Sequence, residues 1–191
     1  QYAEANENSI KFIENLMDAE DYYIKPLYAT YLRIIRLLSF LISILLAGLY
    51  VAVGSFHQEM IPTRLLITMA GQREGVPLPQ FVEAILMILF FEFLKESGLR
   101  LPKAIGSVVT LVGGLVIGQA AVEAGIVSAA MVIIVSASGI TEFVNPRLRD
   151  LAAIYRLFFL ILGGLLGLFG IACGIVILVF HLISIKSFGV P

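Results

Sequence analysis

The chain has 191 residues, 59% of them hydrophobic and 14% charged, with a formal net charge of −1 and a mean hydropathy of +0.97. Soluble domains are about 45–50% apolar and about 25% charged, and a chain of this size cannot hide so much apolar surface in a water-facing core, so it must use lipid as part of its solvent. The near-neutral charge excludes a global basic field for nucleic acid, and the single cysteine, Cys173, excludes an internal disulfide framework or a multi-cysteine metal centre.

Residues 1–26 form an interfacial lead-in. Six of the fourteen acidic residues fall there (Glu4, Glu7, Glu14, Asp18, Glu20 and Asp21), and Ile10, Ile13, Leu16 and Met17 make a short amphipathic stripe. Pro26 breaks that pattern. The chain starts at Gln1 and stops just after the turn Ser187-Phe188-Gly189, so it is expected to be the membrane part of a longer protein. Soluble sequence is expected beyond one or both ends, and residues 27–191 would form a transmembrane helical domain.

A spanning helix needs about 20 apolar residues. Leu37 to Phe56 qualifies without a charge, and Ala104 to Val122 qualifies with Gln119 near its end. Ile126 to Ile140 is shorter, but Thr141 to Val144 can extend it. Leu157 to Ile185 is about 43 Å as a straight helix and must tilt, bend at a glycine or project from the bilayer. Phe81 to Leu94 has a short apolar core bracketed by Glu83 and Glu92, so a re-entrant piece is the alternative to a span. The expected fold is thus an all-α, polytopic integral membrane helix bundle of about five segments, or four spans plus one re-entrant segment. With five crossings, Lys11, Lys25, Arg33, Arg36, Lys95, Arg100, Lys103, Arg147, Arg149 and Arg156 share one side, against Arg64, Arg73 and Lys186. The positive-inside rule then makes the N-terminus cytoplasmic.

Five places stand out for function. Gly163, Gly167, Gly170 and Gly174 fall on one face of a straight helix, where small residues let another helix approach closely, within the chain or at an oligomer interface. Gly114 and Gly118, with Ala121 and Gly125, make a second small-residue face. Gln119 and Glu123 lie on a different face, one turn apart, where they can share partners. They end a span either as a solvated hairpin or as the polar lip of a pore. Glu92 has Lys95 three residues on as a local partner, or else belongs to an acidic vestibule. In the fourth segment, Ser128 and Ser136 suit helix packing or a weakly polar conducting wall. His57 and Glu59 in SFHQEMIPTR do not face each other on a helix, and no third ligand follows at zinc spacing; an interfacial turn is expected. No nucleophile–base set, phosphate loop or cofactor motif is present. No enzyme activity, cofactor or metal is expected.

The motifs FHQEMIPT (56–63), REGVPLP (73–79), FVEAILMILFFEFLKESGLRLP (81–102), VGGLVIGQAAVEAGIVSAAMVIIV (112–135), GLFG (167–170) and HLISIKSFGVP (181–191) follow one another in this order. Together they resemble the GerA family, the A subunits of bacterial spore germinant receptors. The resemblance implies a multi-pass protein of the spore inner membrane, with a soluble N-terminal domain ahead of the lead-in at residues 1–26. It would work with a transporter-like B subunit that senses the nutrient and with a C-subunit lipoprotein, transmitting sensing to ion release.

On this view the chain is a channel-like component that assembles as a homo-oligomer among membrane lipids, with Gln119, Glu123, Glu92 and Ser128 as candidate pore or gating residues. Gly114, Gly118, Gly163, Gly167, Gly170 and Gly174 would supply helix packing or the oligomer contact. The alternative is a structural scaffold that positions the sensing subunit without a pore of its own.

Overall fold

The computed structural model describes residues 26–99 and 103–184. Among them all regular structure is helical: α1 (Pro26–Phe56), α2 (Thr63–Arg73), α3 (Gln80–Leu99), α4 (Lys103–Glu123), α5 (Ala129–Thr141) and α6 (Arg149–Ser184). Single 3-10 turns at Gln58–Met60, Glu142–Val144 and Pro146–Leu148 join them. The all-α expectation agrees with this. The amphipathic stripe between Ile10 and Met17, Lys186 and the terminal Ser-Phe-Gly turn lie outside the described residues.

Pro26 opens α1 rather than interrupting a helix, because its missing N–H falls among the donors that have no intrahelical partner. Phe40, Ile44, Ala47 and Val51 recur at three- and four-residue spacing and are almost wholly buried. The expected turn around His57 is the 3-10 turn Gln58–Met60. It leads into α2, an exposed connector with no buried residue.

The segment whose crossing was in doubt is one continuous helix, α3, of 20 residues and about 30 Å. Its Ala84, Met87 and Ile88 are buried in a cluster with Ala47 and Val51 of α1, Val127, Met131 and Val135 of the α5 region, and Leu160 of α6. No reversal occurs inside it.

The last segment departs most from a single span. Gly167 has φ 62° and ψ −145°, a backbone conformation L side chains rarely adopt, and the helix reverses there. The arm 168–184 returns antiparallel along the arm 149–166: the His181 and Tyr155 rings lie 6.2 Å apart. A Cβ added at Gly174 would lie 2.7 Å from Phe159 Cε1, and one at Gly163 would lie 2.5 Å from the Gly48 carbonyl oxygen of α1. The glycine ladder is therefore not one face. Gly163 admits α1, Gly170 and Gly174 admit the first arm, and Gly167 makes the turn, because the straight-helix periodicity ends at the reversal.

Long-range contacts fix the directions of the runs. Asn145 Nδ2 donates to the Arg36 carbonyl at 2.6 Å, Gln80 Nε2 donates to the Tyr50 carbonyl at 3.3 Å, and Gly167 packs by Phe56 and His57. Thus α1, α4 and the arm 149–166 run one way, and α3, α5 and the arm 168–184 run back. Six antiparallel runs replace the expected five segments. Ser184 returns to the end of the bundle where α6 starts, which corrects the side assigned to the C-terminal end of this segment.

Gly167→Ala is expected to destabilise by about 1–3 kcal/mol through backbone strain, and Gly163→Leu by a comparable amount through overpacking against α1. Gly71→Ala in α2, where nothing lies within 4 Å, should cost nothing. Thermal unfolding of the purified full-length protein in detergent compares the three. Indistinguishable melting temperatures would contradict the hairpin.

Candidate functional site

The middle of the bundle holds four charges. Arg156 of α6 is fully buried, Glu142 is 3% exposed and Lys95 of α3 is 9% exposed; Glu92, one turn before Lys95, is partly exposed. Lys95 Nζ donates to Glu142 Oε2 at 2.5 Å and to Glu92 Oε1 at 2.9 Å. Arg156 pairs through Nη1 with Glu92 Oε1 at 3.2 Å and through Nη2 with Glu142 Oε1. Two cations and two anions sum to zero.

The rest of the guanidinium is satisfied by backbone. Arg156 Nε donates to the Ser43 carbonyl of α1 at 3.0 Å, and Nη2 donates to the Ser138 carbonyl of α5 at 3.4 Å. Neither carbonyl is chosen at random. The Ser43 hydroxyl donates back to the Phe40 carbonyl and that of Ser138 to the Val135 carbonyl, so both serines spend their hydroxyls on their own helices. One side chain thereby ties α1, α3, α5 and α6 together. Taking an unpaired ion out of water costs several kcal/mol, so a buried arginine persists only with such a complete partner set.

Along the outside of this network runs a groove of about 610 Å³ between α4 and α5. Gly114 and Gly118 form its floor, with Phe91, Val132 and Ile133 as apolar wall. A Cβ at Gly118 would lie 3.1 Å from Val132 Cγ1, so the small-residue face of α4 is used to seat α5. Its polar groups are Gln119, Glu123, Ser136 and Lys95. Gln119 Nε2 donates to Glu123 Oε1 at 3.0 Å, and both residues are exposed. Lys95 belongs to both structures: it lines the groove and its ammonium ends in the buried network.

The structure therefore brings Gln119, Glu123, Gly114 and Gly118 together at one groove. Glu92 meets its expected partner Lys95 but also Arg156, so it belongs to the network rather than to an open acidic vestibule. Ser128 is not on the groove. It is 2% exposed and caps α5, its hydroxyl accepting from Met131 N at 3.3 Å and donating to Glu83 Oε1 at 2.6 Å. The fourth segment accordingly begins as helix only at Ala129.

Arg156 and Glu142 escaped the sequence reading as site residues, and Glu83 entered it only as a bracket of the third segment's apolar core. Arg156 was placed with the charges of a cytoplasmic loop; it is instead buried inside a helix. The usable signal was periodicity, since Ala152, Arg156, Phe159 and Gly163 share one helical face and all four are buried. Among the described residues no group of three or more His, Cys, Asp or Glu side chains could hold a metal ion.

Arg156→Met is expected to destabilise by about 3–5 kcal/mol, because Glu142 is left buried without its main partner. The double change Arg156→Met with Glu142→Gln should recover much of that loss. Chemical or thermal unfolding of the full-length protein measures both, and a double variant no better than the single one would argue against the pairing.

The sequence model described as "Bacillus/Clostridium GerA spore germination protein" matches residues 9–191. Spore germination protein KA of Bacillus subtilis (strain 168) is 49% identical over 182 residues, covering 94% of this chain and 34% of that protein. The membrane protein YfkQ of the same organism is 45% identical over 184 residues, covering 95% of this chain and 36% of that protein. Spore germination protein GerLA of Bacillus cereus is 39% identical over 183 residues, covering 94% and 37% respectively. The chain thus spans about a third of the length of these curated relatives. No solved structure matches it.

Proposed function

We propose, on the premise that this chain belongs to the GerA family of spore germination proteins, that it is the membrane part of a nutrient germinant receptor's A subunit. In this reading it assembles as a homo-oligomer and passes the sensing of germinant on to ion release as a channel-like component. Its partners are a transporter-like B subunit and a C-type lipoprotein in the spore inner membrane.

A membrane setting is supported by the outer surface. Leu115, Ile133, Ile154, Leu165, Phe169 and Phe180 are each about two-thirds exposed or more, and water-soluble monomers rarely show a contiguous apolar surface on this scale. The run Tyr28–Phe56 is long and apolar enough to cross a bilayer. The run Arg149–His181 passes the same test of composition, and its two arms are each about 25 Å long. Arg33, Arg36 and Arg149 lie toward one end of the bundle, against Arg64 and Arg73 at the other. The positive-inside rule makes the first end, and with it the N-terminus, cytoplasmic.

The observation that carries the channel reading is the Gln119–Glu123 pair. A hydrogen-bonded carboxylate and amide sit exposed on a helix whose other exposed side chains, among the described residues, are Val112, Leu115, Val116 and Ala120. Facing lipid, that carboxylate is costly; facing an axis shared with other copies, it is solvated and attracts cations. The glycine ladder was open both to the oligomer contact and to the contact of a scaffold with its partner; those glycines are packed inside the chain and so favour neither reading.

Glu123→Gln should lower cation-over-anion selectivity severalfold in liposomes carrying the assembled receptor, with folding unaffected at this exposed site. Unchanged conductance and selectivity would take the pair out of the pathway. Native mass spectrometry of the purified protein checks the assembly separately: a closed ring is expected, and a monomer opposes the channel.

A further inference from the structure

Glu83, in the first turn of α3, is a buried carboxylate left half unused. It is 0% exposed. Its Oε1 accepts from the Ser128 backbone N–H at 2.5 Å and from the Ser128 hydroxyl at 2.6 Å. Oε2 has no hydrogen-bond partner. Tyr50 of α1 packs on the same cluster as Ala84 and Val127, the neighbours of Glu83 and Ser128, and its hydroxyl is likewise buried without a hydrogen bond of good geometry. Ala84, Val127 and Met131, almost wholly buried, wall the place off.

Two features decide what these orphan oxygens are for. Both groups bonded to Oε1 are donors, so Oε1 is an acceptor and the unused lone pairs are those of Oε2. A carboxylate here needs a counter-charge, yet among the described residues no Lys, Arg or His nitrogen forms an ion pair with Glu83. The nearby guanidinium of Arg73 donates instead to Gln80 Oε1 at 2.8 Å. The N-terminal dipole of α5, reached through Ser128 N, offsets only part of what burying an ion costs. The balance calls for a further positive charge at Oε2.

We propose that Glu83 Oε2 and Tyr50 Oη are ligands of a single monovalent alkali cation, held where α1, α3 and the start of α5 meet. Hard cations take oxygen ligands, and one carboxylate neutralises one positive charge. Among the described residues no group of three or more His, Cys, Asp or Glu side chains forms, which disfavours a divalent ion, commonly held by several carboxylates. Water and backbone carbonyls complete the shell. The site lies within one chain, so it is independent of the groove and of the oligomer, and it stands even if the channel reading fails. By bridging α1 to α3 and α5 near the Tyr50 end, the cation does there what Arg156 does in the middle of the bundle.

The test is the melting temperature of purified full-length protein in detergent, titrated with sodium or potassium chloride at ionic strength held constant with choline chloride. A saturable rise is expected with at least one alkali ion. Glu83→Gln should abolish it, and Tyr50→Phe should weaken the apparent affinity about tenfold, as expected for one lost ligand. Equal melting temperatures in sodium, potassium and choline would overturn the proposal without reference to any variant. A rise that survives in Tyr50→Phe at unchanged half-saturation, or in Glu83→Gln, would place the ion elsewhere and overturn it as well. Should Glu83→Gln not fold, the wild-type titration and Tyr50→Phe decide the matter.

Discussion

The bundle depends on one buried guanidinium. Apolar packing in a lipid setting gives little direction to helix association, because lipid tails are as apolar as leucine. Arg156 supplies the direction that burial cannot. Its fork must find two carboxylates and two carbonyls at once, and only one register of α1, α3, α5 and α6 presents Ser43, Glu92, Ser138 and Glu142 together. Sliding α6 by one turn along α1 would strand a charge inside the protein. The network is thus best understood as fixing register rather than as adding net stability, since a buried ion pair often does no better than a hydrophobic substitute.

Around that point the backbones are drawn together by absence of side chains. Gly48 and Gly163 let α1 and the first arm of α6 meet backbone to backbone, and Gly174 receives the Phe159 ring on the return. The same principle seats α5 on α4 at Gly118. Close approach increases dispersion contact, which individually is small but sums over a long interface. The reversal at Gly167 then doubles what one long apolar run can do. A 36-residue helix becomes two short antiparallel arms, and the first is covered on both sides by α1 and by its own continuation.

How far the sequence could be read follows from which features are local. Helix class, the end of α1, the approximate limits of α4 and α5, and the Glu92–Lys95 and Gln119–Glu123 pairs all rest on spacing within one helix, and spacing is written in the sequence. The glycine ladder shows the limit. Its 4, 3, 4 rhythm is correct helical arithmetic, but it presumes a straight helix, and the sequence around Gly167 carries no proline or polar break to announce a reversal. Arg156 failed for a related reason: a charge near the end of an apolar run is ordinarily a boundary. Only partners from α1, α3 and the turn after α5, up to 113 residues away along the chain, make its burial affordable.

Lys95 gives the network a route to the surface. Its ammonium is fixed between Glu92 and Glu142, while the same residue lines the groove that carries Gln119 and Glu123. Glu142 is divided between Lys95 and Arg156, so each cation on that carboxylate is backed by the other. The groove and the buried network therefore meet at one side chain, without a longer chain of contacts between them.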